Sequence, residues 1–455
     1  MIKNRSYFLV SFLLFISSYY SYAQGILWQE TTIPMTEAGD KGLETLLVWP
    51  DGPGPHPLAI ISHGTARDLH DRKTLSAISF LPTALEFARR GFAVAVVLRR
   101  GYGHSGGHFP AKSDLCKGTS YNSTVYEDAK DLHVALDYLA TKPQFDMNYV
   151  LPVGVSAGGL ASLALIAYFP PKGLVGALIF AAGRGSVSDN NVCEEDKLID
   201  TFRVLGKSSS TPMLWVYSVN DHFFNPALAA KFLTAFDSSG GKAILFEAPS
   251  YTNEGHYLFS TAGIPVWTPI LDNYLKKLAL PLFKTMLPLP PVADLVAPQQ
   301  LSHQGKSAFL DYLKSPPHKG FAVNAVGAYG WISGSYSDEE AQDNALQTCM
   351  KYGKGCYLYA LNDSLVKKES LQPPEQLSSE GRRAFLNYLK SPSYKAFAVS
   401  SRGGYGWISG SSSSNQAQNT ALETCAKYAN DCHLYAVDNN YYKADNKSYE
   451  GFFKF

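Results

Sequence analysis

Residues 150–166 read VLPVGVSAGGLASLALI: an apolar run, a serine framed by glycines, then a second apolar run rich in small residues. A strand that turns sharply into a helix at a serine constrains this chain more than any other segment. Gly154 and Gly158 lack side chains where such a turn brings strand and helix together, and Gly159 permits close helix packing. The turn lifts the Ser156 hydroxyl clear of the sheet. The helix N-terminus places a partial positive charge beneath it. A Gly-x-Ser-x-Gly match alone is weak in a chain with 37 glycines, and GHSGG at residues 103–107 is a second one. Ser105 has no helix behind it, because HFPAKSDL reads as loop. Ser156 is therefore the candidate nucleophile.

The surrounding pattern supplies the sheet that such a turn needs. PLAIISHG, GFAVAVVLRRGYG, VLPVGV, LVGALIFAAG, PMLWVYSVND and AILFEAP are continuously apolar strands. Helical spacing intervenes, as in VYEDAKDLHVALDYLA with Leu132, Leu136 and Leu139. Strand–helix alternation with strands apolar throughout predicts an α/β fold with a mainly parallel sheet covered on both faces.

A serine hydroxyl attacks only when a base takes its proton, and that base needs an orienting carboxylate. On this architecture they follow the serine in the order acid, then histidine, each just past a strand. Asp221 ends LWVYSVND and His256 follows AILFEAPSYTNEGH, so Ser156, Asp221 and His256 form the candidate triad. Asn220, His222 and Glu254 are the nearby competitors. An oxyanion hole needs two backbone N–H donors. Ala157 follows the nucleophile, and Thr65 lies in ISHGTARD after Gly64, whose bare backbone admits a substrate. His63 reads as structural. This chemistry calls for no metal and no cofactor.

The N-terminus has the three-part layout of a secretory signal: Lys3 and Arg5, an apolar run over residues 7–16, and SYA ending at Ala23. The run is too short to span a bilayer, and no later stretch is long and apolar enough. Export to the periplasm or beyond fits the six cysteines, all located after the signal.

The C-terminal third repeats itself. LSHQGKSAFLDYLKSPPHKGFAVNAVGAYGWISG begins at Leu301, and LSSEGRRAFLNYLKSPSYKAFAVSSRGGYGWISG begins at Leu377, 76 residues on without a gap. The offset carries Trp331 onto Trp407, Cys349 onto Cys425, and Cys356 onto Cys432. Each copy reads as a small α+β module in the order αβαβ. Bridges Cys349–Cys356 and Cys425–Cys432 would tie a helix end to the last strand. That leaves Cys116 and Cys193 for each other, with two free buried thiols as the alternative. Trp331, Trp407, Tyr329 and Tyr405 read as core, with an aromatic surface for glycans or the cell envelope as the alternative.

The expected plan is thus a signal peptide (1–23), a catalytic domain (24–285), a Pro-rich linker (286–300), one module (301–364), a linker (365–376), a second module (377–438) and a tail (439–455). Forty lysines and arginines against 39 acids leave a net charge of +1, with no concentrated basic surface for nucleic acid.

HGT, RRGYGHSGG, GVSAGG, VND and EGH, in that order, resemble the serine α/β-hydrolases. The resemblance is to the branch shared by dienelactone-hydrolase-like esterases and the catalytic domain of prolyl-oligopeptidase-like proteins. The resemblance covers about residues 43–280 and implies the α/β-hydrolase fold, the same triad, and Thr65 and Ala157 as oxyanion donors. Dienelactone hydrolases proper carry a cysteine nucleophile where this chain has serine. Only about forty residues separate the signal from HGT, too few for the propeller of prolyl oligopeptidases. The reading is an exported carboxylesterase-like serine hydrolase acting on small or medium esters. A serine peptidase or amidase, and an envelope-binding protein in which the repeats dominate, are the alternatives. The irregular insert at residues 183–196, with Cys193, is expected to form a disulfide-fixed rim around an open pocket.

Overall fold

The computed structural model describes residues 20–23, 25–110, 120–366, 371 and 373–442. The chain divides into two units, one of Met1–Lys73 and Thr83–Pro291, the other of Thr74–Pro82 and Val292–Phe455.

The first unit is built on strands β1 (Tyr20–Ala23), β2 (Ile26–Met35), β3 (Gly39–Pro50), β4 (His56–Ser62), β5 (Ala93–Val97), β6 (Phe145–Val155) and β7 (Ala177–Phe180). A short hairpin of β8 (Ser186–Ser188) and β9 (Asn191–Val192) follows, then β10 (Met213–Ser218) and β11 (Ala243–Ala248). The main sheet has nine strands in the order β1-β2-β3-β5-β4-β6-β7-β10-β11. β1, β2 and β3 run antiparallel to their neighbours, and β5, β4, β6, β7, β10 and β11 pair in parallel. An antiparallel entry, an exchange of β5 and β4, and a parallel remainder make this an α/β-hydrolase fold. β4 and β5 are buried at every residue, as strands with both faces covered must be. β11 lies at the sheet edge and leaves Ile244 and Phe246 exposed.

Helices Tyr121–Leu139 and Ala157–Tyr168 cover the sheet and share one core with it, through Val125, Leu132, Leu160 and Leu163. The core-facing side of Tyr121–Leu139 also buries Asp128 and Asp131. Both are paired: Arg99 with Asp128 at 3.3 Å and Arg100 with Asp131 at 2.6 Å. The RRGYG segment after β5 is thereby tied to this helix by charge. No helix among the described residues is long and apolar enough to cross a membrane.

The second unit holds two similar bodies. In the first, helix His303–Lys314 precedes β12 (Gly320–Val323) and β13 (Tyr329–Ile332); helix Asp338–Met350 then leads to β14 (Tyr357–Leu361) and β15 (Ser364–Leu365). In the second, helix Ser379–Lys390 precedes β16 (Ala396–Val399) and β17 (Tyr405–Ile408), and helix Ser414–Ala426 leads to β18 (His433–Val437) and β19 (Asn440–Tyr441). Each sheet is four-stranded and antiparallel, in the orders β13-β12-β14-β15 and β17-β16-β18-β19. The short closing strands β15 and β19 extend the αβαβ unit expected from sequence. They are two-residue hairpin returns, too brief to show periodicity.

Phe321 pairs with Trp331, and Phe397 with Trp407, at matching registers. Both tryptophans are half-buried and pack against their own body's core. A Cβ on Gly330 would come within 2.2 Å of the Cys349 nitrogen, and one on Gly406 within 2.2 Å of the Cys425 nitrogen. The glycine of each Tyr-Gly-Trp is what lets the helix lie against the strand. Disulfides Cys349–Cys356 and Cys425–Cys432 close these bodies.

Candidate active site

β6 passes into helix Ala157–Tyr168 through Ser156, whose φ of 55° and ψ of −124° lie outside the regions L-residues favour. The flanking glycines make the bend possible. A Cβ on Gly154 would sit 2.3 Å from the Gly158 carbonyl oxygen, and one on Gly158 would sit 2.1 Å from that of Ser62. The Ser156 N–H donates to Phe180 O at 2.9 Å, and Ser156 O accepts from Gly159 N at 2.9 Å, which anchors the turn on both sides. Ser105 is placed differently. Its hydroxyl donates to Leu98 O at 2.7 Å and accepts from Glu44 N at 2.9 Å, so it braces a loop.

β10 and β11 run parallel to β6, so the loops that leave them emerge at the edge that carries Ser156. Asp221 lies just past β10, buried. Its Oδ1 accepts the N–H groups of Phe223 and Phe224, each at 2.8 Å, and its Oδ2 accepts His256 Nδ1 at 3.0 Å. The Phe223 ring stacks on the His256 imidazole at 4.1 Å, with 4° between planes. The competing side chains are otherwise engaged. Glu254 accepts the backbone N–H groups of His222 and His256, at 3.0 and 2.9 Å. Asn220 Oδ1 accepts Tyr251 N at 2.9 Å and shapes its own loop. Burial, reinforced by the Asp221 charge, pushes the Tyr217 phenol well up, and its hydroxyl donates to Ala182 O at 2.7 Å.

The end of β4 supplies the opposite wall. His63 is fully buried; burial first, then the nearby Arg99 charge, holds its pKa well below the usual range, so it stays neutral. Its Nδ1 donates to Gly64 O at 2.7 Å and its Nε2 accepts Arg99 N at 3.1 Å. A Cβ on Gly64 would stand 3.3 Å from Ser156 Cβ, so the bare backbone keeps the approach to the serine open. Thr65 follows, with its hydroxyl bonded to that of Tyr102. Ala157 opens the helix behind Ser156.

These loops enclose a recess of about 390 Å³, counting its open mouth, with Ser156, Ala157 and Thr65 in its wall. Three arginines that the sequence reading did not single out, Arg67, Arg72 and Arg184, also line it, with Phe223 and Phe224. Arg67 lies two residues beyond Thr65 in HGTAR and Arg184 lies in the insert expected at the rim, whereas nothing in the sequence pointed to Arg72. The insert expected to be irregular over residues 183–196 contains the β8–β9 hairpin, and Glu195 already begins helix Glu195–Gly206. Its Gly185 and Ser186 reach the recess. Cys193 accepts the Tyr121 hydroxyl on its carbonyl at 2.5 Å, and no described cysteine is free. Cys116, its expected partner, lies outside the described residues, as do most of the expected signal and tail.

A family model described as "Domain of unknown function (DUF4189)" matches residues 394–452. No curated protein matches the chain. Among solved structures, a CIB-like hydrolase from Thermoplasma acidophilum is 15% identical over 56% of this chain and 100% of its own, with a TM-score of 0.39. Thermogutta terrifontis esterase 2, phosphorylated by paraoxon, is 12% identical over 57% and 97%, with a TM-score of 0.41. The Pyrococcus horikoshii acylaminoacyl peptidase is 13% identical over 58% of this chain and 43% of its own, with a TM-score of 0.40.

Proposed function

We propose that the chain is an exported serine hydrolase that cleaves carboxylic esters through an acyl-enzyme. The observation that carries this reading is the 3.0 Å hydrogen bond between His256 and Asp221, at the sheet edge where the strained turn presents Ser156. Ser156 is the nucleophile, His256 the base and Asp221 the carboxylate that orients it.

With Nδ1–H held by Asp221, His256 keeps the Nε2 lone pair available. Nε2 takes the Ser156 proton as Oγ bonds to the ester carbonyl carbon. Charge then develops on the carbonyl oxygen. Ala157 N–H, which has no helical acceptor as the first residue of its helix, and Thr65 N–H donate to that oxygen. The intermediate collapses with cleavage of the C–O bond, and the leaving alcohol takes its proton from His256. Water, deprotonated by His256, then attacks the acyl carbon, and Ser156 Oγ departs and recovers its proton. The stacked Phe223 ring holds the imidazole plane throughout.

Export rests on the three-part N-terminus and on disulfides that suit an oxidising compartment. The C-terminal bodies are read as tandem copies of one module, with Cys116–Cys193 as a third bridge fixing the rim.

The test is labelling with a fluorophosphonate probe alongside p-nitrophenyl butyrate turnover. Wild type is expected to be labelled and active, and Ser156→Ala neither. Labelling that survives the substitution would assign the nucleophile elsewhere.

A further inference from the structure

We propose that the recess beside Ser156 selects esters that carry a carboxylate, gripped by Arg184 and Arg72. This rests on the reading of Ser156 as the nucleophile and names the substrate class of that site.

Among the described residues, the wall of the recess holds three guanidinium groups and no aspartate or glutamate. Arg184 is only 4% exposed. It donates through Nη2 to Asp128, while its Nε and Nη1 are buried without a well-aligned acceptor among the described residues, the Tyr102 phenol being the nearby polar group. Buried N–H groups left without an acceptor are costly, more so on a charged group. Burial by itself would lower the Arg184 pKa most, but Asp128, Tyr102 and Tyr121 together outweigh it, and the guanidinium is more basic than usual. Asp128 does not neutralise this corner, because it is shared with Arg99 at 3.3 Å. A planar donor fork that is fully charged, desolvated and half-used matches the two oxygens of a carboxylate.

Arg72 adds a second cation. It is 6% exposed and donates to the carbonyls of Ala66 and Arg67 at 2.7 and 3.5 Å. Burial lowers its pKa most and Arg184 lowers it further, against the raising influence of Tyr102 and Asp68. Two guanidinium groups that repel each other in one recess favour an anion between them. Arg67 is the outer member: its guanidinium lies 3.7 Å over the Phe223 ring and it donates to Ser186 Oγ at 2.8 Å. Its ion pair with Asp189 is 3.4 Å long, and Asp189 is 70% exposed, so solvent screens most of that attraction. Because Ser156 shares the wall with these groups, the carboxylate and the scissile ester belong to one small molecule.

The carboxylate has two possible positions, and two substrate pairs separate them. Mono-p-nitrophenyl glutarate against p-nitrophenyl butyrate places it in the acyl part. 3-Acetoxybenzoate against phenyl acetate places it in the leaving group. In the wild-type chain, one pair is expected to show roughly 10²-fold higher kcat/KM for the charged member, because a neutral analogue leaves buried donors unpaired. The ratio should persist in 0.5 M NaCl. Arg184→Gln should bring it below about threefold, and Arg72→Gln should lower it. Free glutarate should compete with p-nitrophenyl butyrate in the unaltered protein, which tests the grip without a variant that must fold. Hydrolysis of the neutral esters that requires Ser156, with no preference in either pair and no competition by glutarate, would overturn the carboxylate site and leave the serine reading standing. A preference that vanishes with salt would reassign it to surface steering. No hydrolysis of any ester and no fluorophosphonate labelling would remove both readings.

Discussion

His256 donates through Nδ1 to Asp221 Oδ2 at 3.0 Å, across 35 residues and between loops that leave two different strands. The same carboxylate accepts two backbone N–H groups on its other oxygen, so it is anchored independently of the histidine. That division of labour makes a clean substitution possible. In Asp221→Asn the amide oxygen can still accept from Phe223 and Phe224, but an amide facing Nδ1 favours the wrong imidazole tautomer. kcat for p-nitrophenyl butyrate is expected to fall by about 10⁴-fold with little change in circular dichroism. A fall below tenfold would mean that Asp221 is not the orienting group.

Ser156 holds a positive φ that glycine adopts without strain. Ser156→Gly is therefore expected to abolish turnover and raise stability by about 1 kcal/mol, within the ~1–3 kcal/mol typical of such strained residues. Ser156→Ala keeps the Cβ and should gain much less. Denaturant midpoints for the three proteins check this, and equal midpoints would show that the turn stores no strain.

Each C-terminal disulfide joins cysteines seven positions apart, between a helix end and a strand. Replacing both cysteines of one pair by serine is expected to lower stability by about 2–3 kcal/mol on the chain-entropy account. The Cys349/Cys356 and Cys425/Cys432 double variants should lose similar amounts, since the two bodies share one arrangement. Thermal unfolding measured with and without reductant reads the effect.

Asp343 has its pKa raised to about 6 by burial first, then by Glu339 and Asp438, from an ordinary value of 3.8. Between those values the folded chain binds the proton more tightly than the unfolded chain does. Stability from this group is therefore highest at low pH and declines as pH rises through about 6. Asp343→Asn should match wild type near pH 4 and unfold at a higher temperature at pH 7. A gap that does not widen with pH would contradict the assignment.

The strands of the parallel sheet were legible because burial on both faces leaves an uninterrupted apolar signature, as in β4 and β5. The antiparallel strands β2 and β3 were not read, since β2 mixes buried and part-exposed residues along its length and β3 opens on three exposed ones. Helix Tyr121–Leu139 was recognised by its leucines, but its buried Asp128 and Asp131 were invisible. A charge on a helix face reads as solvated until its partner arrives from another element, here Arg99, Arg100 and Arg184. The loops near Ser156 yielded their glycines and candidate acid and base, and withheld their arginines. A glycine requirement is local, whereas an arginine aimed into a recess depends on where three separate loops end.

Local rules within the amino-acid sequence therefore determined the strand–turn–helix at Ser156, the order of candidate acid and base, the α/β alternation and the 76-residue recurrence near the C-terminus. All of these are set by steric limits and periodicity over a few residues. Tertiary structure alone decided that Asp221 meets His256, that Ser105 is tied to Leu98 and Glu44, and that Arg72 and Arg184 converge beside Ser156. Those outcomes depend on strand order and on charge burial between distant segments, which no stretch of chain encodes by itself.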